Sequence, residues 1–170
     1  IERGDGGGIA LPGGMADFGE SVGSTLTREL GEETGVKELR DVEAIPVYAG
    51  YVDDWRNTDH AWMETLAAHY HVPAELAATW KLKAGDDAKK VFPLALEPGT
   101  LATLYASHGL MVRRALEELM ARKPELVEVI RPLLTRVEEL ATAVTDLIHD
   151  VLPLARQGLE LASRISALSA

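Results

Sequence analysis

The sequence predicts an α/β (α+β) domain over residues 1–122 and an amphipathic helical tail over residues 123–170. Two observations lead to this fold class. In the front part, short runs typical of strands alternate with stretches of helical periodicity. After Pro124, aliphatic residues recur in steps of four and three, the period of a helix that packs along a seam. The change of pattern separates a mixed domain from a helical appendage.

The composition narrows the class of protein. The chain has 170 residues, 46% of them hydrophobic, and a net charge of −10. This charge argues against a general nucleic-acid binder, because phosphate contacts need basic patches, but a divalent cation can still bridge the chain to a small anion. There is no cysteine and no apolar run long enough to span a membrane, and we expect no signal peptide. We expect a cytoplasmic protein that binds neither nucleic acid nor membrane.

The first elements are predicted near the amino end. "GIAL" is predicted as a short strand that ends at Pro12, in a glycine-rich turn. Residues 21–34 are predicted as a helix, because Leu26 and Leu30 lie one turn apart on an apolar stripe. Gly35 stands where a left-handed cap would end that helix.

The later elements of the domain follow the same reasoning. Residues 44–52 are strand-like but are expected to be broken at Pro46. Residues 61–72 give the best strand pattern, and "KKVFPLAL" over 89–96 predicts a further short strand. From residue 101 to about residue 123 the pattern becomes helical.

The tail carries a sustained heptad pattern. Because Pro132 and Pro153 lie inside it, we expect kinks or separate helices rather than one straight rod. Residues 124–168 are predicted either to join copies of the chain into a homo-oligomer or to pack on their own domain. The seam residues are Leu126, Ile130, Leu133, Val137, Leu140, Val144, Leu147, Val151, Leu154, Leu161, Ile165 and Leu168.

An acidic cluster lies on the first predicted helix. Glu29, Glu32 and Glu33 have the spacing of one helix face, where like charges repel. Arg28 can pair with Glu32 four residues later, which leaves the other two carboxylates facing each other. A hard cation such as Mg²⁺ takes oxygen ligands and would offset the repulsion. The alternative is an exposed acidic helix whose glutamates bind nothing.

A longer pattern favours the metal site. Gly14 is followed after five residues by Glu20, and after seven more by Arg28-Glu29-Leu30, then by Glu32-Glu33 and by Gly35-Val36. This spacing resembles the Nudix box throughout. The chain therefore resembles the Nudix hydrolases, which cleave a nucleoside diphosphate linked to another moiety.

The resemblance implies a fold, a cofactor and a set of roles. The fold is an α/β/α sandwich around a mixed sheet, of which the N-terminal strands are expected to be missing, because only about a dozen residues precede the box. Mg²⁺, or alternatively Mn²⁺, is expected on Glu29, Glu32, Glu33 and Gly14. Catalysis is assigned to those three glutamates and Arg28, and a Glu20–Arg28 ion pair is expected to join loop and helix. Which glutamate is base and which is ligand stays open.

Three further segments narrow the resemblance. "GYVDDWRNTDHAWMET" at 50–65, "AGDDAKKV" at 84–91 and "LYASH" at 104–108 are similar to the ADP-ribose pyrophosphatases and to the related domain of the ADP-ribose-gated melastatin-type channels. The implied reaction is hydrolysis of ADP-ribose to AMP and ribose 5-phosphate. The alternatives are an ADP-ribose sensor without turnover, and a Nudix hydrolase for another substrate such as a nucleotide sugar.

The same segments supply candidate substrate contacts. The planar fork of Arg56 matches a phosphate, and the neighbouring aspartates can accept hydrogen bonds from ribose hydroxyls. A polar turn that bonds only its own backbone is the alternative. Trp55 stands where the family has proline, so a ring becomes available to stack on adenine or to cover the core. The predicted contacts are Asp54, Arg56, Asp59, Asp87, Tyr105 and His108, with Asp53 and Asp86 as further candidates.

Overall fold

The structure is a computed structural model that describes residues 1–37, 39, 42–85, 87–97 and 99–168. Short strands and helices alternate, so the α/β class predicted from the sequence is confirmed. A 3₁₀ turn at Pro124–Leu126 precedes the last helix. The strands are β1 Glu2–Arg3, β2 Ala44–Tyr51, β3 Glu64–Tyr70 and β4 Ala88–Lys90, and the helices are α1 Val22–Thr34, α2 Ala74–Ala77, α3 Thr100–Thr103, α4 His108–Arg122 and α5 Val127–Leu168.

Strands β2 and β3 form an antiparallel pair. The register runs from Ala44 opposite Tyr70 to Tyr51 opposite Glu64. The prediction that Pro46 breaks this strand is wrong, because the register shifts between Pro46 and Tyr48 and the strand continues. A bulge of this kind accommodates a residue that has no amide hydrogen to donate. Helix α4 packs against this pair.

A second, smaller sheet lies beside the amino end. Strand β1 pairs antiparallel with β4, and Ile9 bridges antiparallel to Glu2 and parallel to Leu104. Both named strand pairs are antiparallel, and the parallel contact is confined to the single bridge between Ile9 and Leu104, so the expected mixed sheet stays a prediction. The predicted "GIAL" strand is reduced to the bridge at Ile9, because the Leu11 amide donates to the His108 side chain rather than to a neighbouring strand. Of the predicted strand at 89–96, only Lys89 and Lys90 lie in β4.

Helix α1 runs from Val22 to Thr34, close to the predicted range of 21–34, and both of its ends are capped. Ser21 caps it by accepting a hydrogen bond of 3.2 Å from the Ser24 amide. Gly35 ends it in the left-handed conformation, with φ of 77°, and donates to the Gly31 carbonyl. The amide of Lys83 then donates to the Thr34 carbonyl, which satisfies one more group at the helix end.

The helix predicted from residue 101 to 123 is divided. Leu104 is extended, with φ of −72° and ψ of 143°, and so ends α3. Ala106 takes a positive φ of 47°, which is uncommon for a residue with a side chain. Local periodicity could not show this interruption, because the backbone hydrogen bond from Tyr105 to Ile9 that accompanies it joins distant parts of the chain.

The tail is one helix of 42 residues that continues through Pro132 and Pro153. The alternative of separate helices is therefore wrong, and a kink at either proline stays a prediction. Its first turns pack on α4, where Ile130 and Leu134 are buried with Leu116 and Leu119. This packing buries the apolar stripe near the start of α5 and stabilises the helix there. The stabilisation offsets the cost of Pro132, which lies two residues after buried Ile130.

Beyond these turns the large apolar residues of α5 from Leu140 to Leu152 are exposed. Leu147 is 62% exposed and Val151 49%. The heptad residues from Leu154 onward have side chains outside the described part of the structure. Within the described residues, no helix is both long and apolar enough to cross a membrane. Both the domain division after residue 122 and self-association through the tail remain predictions.

Candidate active site

Arg28 ties the loop before α1 to the helix itself. Its Nε and Nη2 donate to the two oxygens of Glu20, at 3.0 and 2.9 Å, and Nη2 also donates to the Met15 carbonyl at 3.0 Å. Such a fork is the strong, directional form of an arginine–carboxylate pair. The hydrogen bonds from Arg28 are the main reason that the pKa of Glu20 falls to about 2. The predicted ion pair between loop and helix is confirmed.

The same arginine also holds two of the three clustered glutamates. Nη1 donates to Glu29 Oε1 at 2.7 Å and to Glu32 Oε2 at 3.2 Å. The predicted pair with Glu32 is therefore confirmed, but the expectation that Glu29 is left unpaired on this face is wrong. One guanidinium nitrogen donates to both carboxylates, so a single positive charge reduces the repulsion between Glu29 and Glu32. The spacing of the residues in the sequence does not predict this shared contact.

Glu33 is held apart from that network. Its side chain is buried, at 8% exposure, and Oε2 accepts a hydrogen bond of 2.8 Å from the Gly13 amide. Burial raises the pKa of this carboxyl, the Gly13 hydrogen bond opposes the rise, and the negative charges of Glu29 and Asp87 add to it. The cluster therefore consists of two carboxylates bound to arginine and one buried carboxylate beside the glycine loop.

Gly14 is required by the close approach of Glu29. A Cβ placed on Gly14 would overlap the Glu29 carboxyl group. The residue that follows the Gly13 amide therefore has to be glycine if both carboxylates are to stay in place. This contact brings the glycine loop, one end of the Nudix-like pattern, directly against its glutamates.

The donor set suits a hard divalent cation. Carboxylate and carbonyl oxygens are the ligands that Mg²⁺ and Mn²⁺ take in proteins, and α1 and the glycine loop supply both kinds. Among the described residues, no three acidic or histidine side chains converge as a ready metal cluster. Arg28 and the Gly13 amide hold the carboxylates separately. The assignment of a metal to Glu29, Glu32, Glu33 and Gly14 stays a prediction.

The loop after β2 is rigidly built. Arg56 donates through Nε and Nη2 to Asp54, at 2.8 and 2.9 Å, and the Asp54 carboxylate is only 7% exposed. These hydrogen bonds lower the pKa of Asp54 to about 2. Asn57 joins the two sides of the loop through the Val52 carbonyl and the Met63 amide. Asp54 thus orients Arg56, and the arginine reaches outward.

Trp55 lies on the outside of this loop. Its ring is 84% exposed, so it does not cover the core, which was one of the two roles considered for it. Asp59 lies at the exposed tip of the 58–61 turn, and Asp53 is exposed as well. Asp86 lies outside the described residues. Their role as ribose acceptors stays a prediction.

A third group joins Tyr105 and His108 to the amino end. The two rings meet edge to face, with centroids 5.8 Å apart. The His108 Nδ1 accepts a hydrogen bond of 2.9 Å from the Leu11 amide, so the ring also fixes the chain that enters the glycine loop. Burial lowers the pKa of His108, and the positive charge of Arg3 adds to this effect.

Arg3 was not among the residues predicted from the sequence. Its guanidinium carbon lies 4.4 Å from the centre of the Tyr105 ring, a cation–π contact. The only signal for it in the sequence is a basic residue between a buried isoleucine and a run of glycines. The structure therefore assembles Arg3, Tyr105 and His108 by direct contact, while Asp87 influences Glu33 through charge alone.

The comparisons with known proteins agree with this geometry. Residues 2–109 match the NUDIX domain family. The sequence is 41% identical to "ADP-ribose pyrophosphatase, mitochondrial" of Rattus norvegicus over 135 residues, covering 69% of this chain and 38% of the relative. It is 43% identical to "Putative nudix hydrolase 6" of Caenorhabditis elegans over 116 residues, covering 64% of this chain and 44% of the relative.

A channel protein is also similar. The sequence is 39% identical to "Transient receptor potential cation channel subfamily M member-like 2" of Nematostella vectensis over 124 residues, covering 64% of this chain and 8% of the relative. The chain thus spans less than half the length of each of these three curated relatives.

Proposed function

Because the chain belongs to the NUDIX domain family, we propose that it hydrolyses the pyrophosphate of ADP-ribose to AMP and ribose 5-phosphate. The observation that carries the proposal is the arrangement on α1. Arg28 binds Glu20, Glu29 and Glu32, while buried Glu33 is held separately at the glycine loop. A merely solvated acidic helix would have no reason to bury one carboxylate and bridge the others.

The glutamates and the arginine of α1, together with Gly14, are proposed to have separate roles in the reaction. Glu29, Glu32 and Glu33, with Gly14, would hold Mg²⁺, and Mn²⁺ has the same ligand preferences. A divalent cation neutralises pyrophosphate charge and makes water a better nucleophile. Arg28 keeps two of the carboxylates in place.

Glu33 is proposed as the group that accepts a proton from the attacking water. Unlike Glu29 and Glu32, it is not bound by Arg28, and within the described residues its carboxylate accepts one hydrogen bond, from the Gly13 amide. A carboxylate that is positioned and partly desolvated is suited to general base catalysis. The water oxygen then bonds to phosphorus, and the bond from phosphorus to the bridging oxygen breaks.

The choice of ADP-ribose has two supports. The rat relative is named an ADP-ribose pyrophosphatase and is 41% identical where it aligns. Arg56, oriented by Asp54, has the planar fork that suits a phosphate. The aspartates, Tyr105 and His108 are proposed to contact ribose, with Trp55 free to stack on the base.

The cellular setting is also a proposal. We keep the cytoplasm as the predicted location, although the rat relative is named a mitochondrial protein. The net charge of −10 supports a small anionic ligand bridged by a cation rather than a nucleic acid. The small-molecule nucleotide is the expected partner, together with a second copy of the chain through residues 124–168.

The experiment is a substrate panel followed by calorimetry. Full-length protein with Mg²⁺ is given ADP-ribose, a nucleotide sugar and buffer alone, and the products are separated by chromatography. Equimolar AMP and ribose 5-phosphate from ADP-ribose support the proposal. Faster turnover of the nucleotide sugar would transfer the same chemistry to another substrate. Calorimetric binding of ADP-ribose with no product would instead favour a sensor.

A further inference from the structure

We propose that Arg3 contacts a phosphate of the substrate, and that Asp5 holds the Arg3 guanidinium in that position until the phosphate replaces it. The inference rests on the proposed function, since it adds a residue to the same site. It comes from the contact of the Arg3 guanidinium with the Tyr105 ring, which itself packs against His108.

The backbone around Arg3 is fixed by two other segments, residues 87–88 and Gly8. It lies opposite Ala88 in the β1–β4 pair, and its amide donates to the Gly8 carbonyl at 2.9 Å. The next amide, of Gly4, donates to the Asp87 carbonyl at 3.0 Å. A Cβ on Gly7 would come within 2.7 Å of the Arg3 side chain, so that glycine leaves the space that the side chain fills.

The charges around Arg3 are those of the candidate site. Hydrogen bonds to Asp5 are the main reason that the pKa of Arg3 is raised, and the charges of Tyr105 and Glu33 contribute weakly. Arg3 in turn contributes to the low pKa of Asp54, after the dominant effect of Arg56. The Arg3 guanidinium is thus within electrostatic reach of helix α1 and of the loop after β2.

The hydrogen bonds of Arg3 leave capacity for a ligand. Nε donates to Asp5 Oδ1 at 3.0 Å and Nη2 donates to Oδ2 at 2.5 Å. An arginine carries five N–H donors, and within the described residues Nη1 makes no hydrogen bond. The Asp5 side chain is 58% exposed, and exposed ion pairs are weak enough to exchange for a better partner.

The contact with the Tyr105 ring also restrains the Arg3 side chain. A guanidinium that lies over a ring keeps its edges, where the donors are, directed away from the ring. The ring therefore orients the fork, and His108 packs edge to face against the same ring. The alternative is that Arg3 only covers Tyr105 and contributes to folding.

The test uses opposite changes in one ion pair. Arg3→Gln removes the cation, and we expect KM for ADP-ribose to rise about 10-fold or more, because hydrogen bonds to charged groups are among the strongest. Asp5→Asn removes the competitor, so KM is expected to fall about 2-fold, the scale of an exposed pair. The matched controls are Arg136→Gln and Glu139→Gln, which break an exposed ion pair of 2.7 Å on α5.

Binding is measured by calorimetry beside turnover, and thermal unfolding is recorded for every variant. Weaker binding in Arg3→Gln, tighter binding in Asp5→Asn and unchanged binding in both controls support the inference. Unchanged KM and Kd in Arg3→Gln would overturn it, as would equal weakening in both variants of the Arg3–Asp5 pair, which indicates a folding role.

These outcomes are separate from the fate of the proposed function. If the wild-type protein binds ADP-ribose but releases no AMP, the hydrolase proposal is wrong. The role of Arg3 in phosphate binding is then tested by the Kd of the variants alone. Wild-type protein that hydrolyses ADP-ribose while Arg3→Gln keeps normal KM and Kd removes the inference and leaves the hydrolase intact. Wild-type protein that neither binds nor hydrolyses overturns both.

Discussion

Helices α1 and α5 show two ways in which a sequence pattern becomes structure. On α1, of 13 residues, the charged side chains are bound to named partners, and Ser21 and Gly35 cap both ends. On α5, of 42 residues, the heptad pattern is longer, yet only its first turns are buried. Leu147 has the right period for a seam, yet it is 62% exposed among the residues that the structure describes.

The difference is one of specificity. In α1 the pattern demands particular residue types at fixed distances, so each side chain can be assigned a partner. In α5 the pattern demands only aliphatic residues at a period, which indicates a helix but not what packs against it. Function is therefore expected to depend on single atoms in α1 and on summed apolar area in α5. The following variants test that contrast.

The largest effect is expected at Gly14. Gly14→Ala forces the Glu29 carboxyl to move, and a displacement of about 1 Å at an active site can lower turnover about 100-fold. The matched control is Gly23→Ala, since a Cβ there meets nothing within 4 Å. That control should keep full activity and gain roughly 0.5–1 kcal/mol of stability, measured by denaturant unfolding. Equal activity in both variants would contradict the account.

A smaller loss is expected at Arg28. Arg28→Lys keeps the charge but loses the fork to Glu20 and the bridge between Glu29 and Glu32. We expect about a 10-fold loss of kcat/KM for ADP-ribose, the low end for residues that hold metal ligands. Arg136→Lys on α5 is the control and should be neutral in the same assay. Full activity in Arg28→Lys would mean that the fork is dispensable.

The tail should respond through assembly rather than turnover. Leu147→Glu combined with Val151→Glu places charges on the exposed seam, so sedimentation velocity should show a shift toward monomer with unchanged kcat. The control pair Thr142→Glu with His149→Glu lies on the opposite side of the helix and should sediment as wild type does. If the wild-type chain is monomeric at all concentrations, the prediction of self-association through the tail is wrong.

The smallest effect is a pH dependence of folding that belongs to the front domain. Burial lowers the pKa of His108 and, separately, that of His69. A histidine with a lowered folded pKa stabilises fully above its unfolded pKa of about 6.5, and this stability is lost as pH falls toward the folded pKa. Denaturant unfolding at pH 7.5 and 5.5 should show a smaller loss in His108→Asn than in wild type. His149→Asn on α5 should leave the loss unchanged, and an equal reduction in both would contradict the assignment.

Sequence reasoning succeeded where contacts are local or where a pattern fixes residue types. The Gly35 cap and the Arg28–Glu32 pair join residues within about one turn of helix. The Glu20–Arg28 pair is more distant, but the motif specifies both residues.

The remainder depended on contacts between distant segments. Ile9 bridges both to Glu2 in β1 and to Leu104, and this brings Arg3 next to Tyr105. Local periodicity in the sequence cannot predict a contact between such distant segments. The bulge after Pro46 is set by its partner strand β3. Glu29 pairs with Arg28 at an adjacent position, which helix spacing rules do not anticipate. Tertiary geometry rather than propensity decided each of these features.

The measurement that tests the central claim most directly is AMP release by Glu33→Gln. This change keeps the side-chain oxygen that accepts from Gly13 but removes the charge and the capacity to take a proton. The account predicts that wild type converts ADP-ribose to AMP with Mg²⁺, and that Glu33→Gln binds ADP-ribose but releases AMP at least about 100-fold more slowly. AMP release by Glu33→Gln at the wild-type rate would contradict the claim that the helix α1 glutamates carry the chemistry.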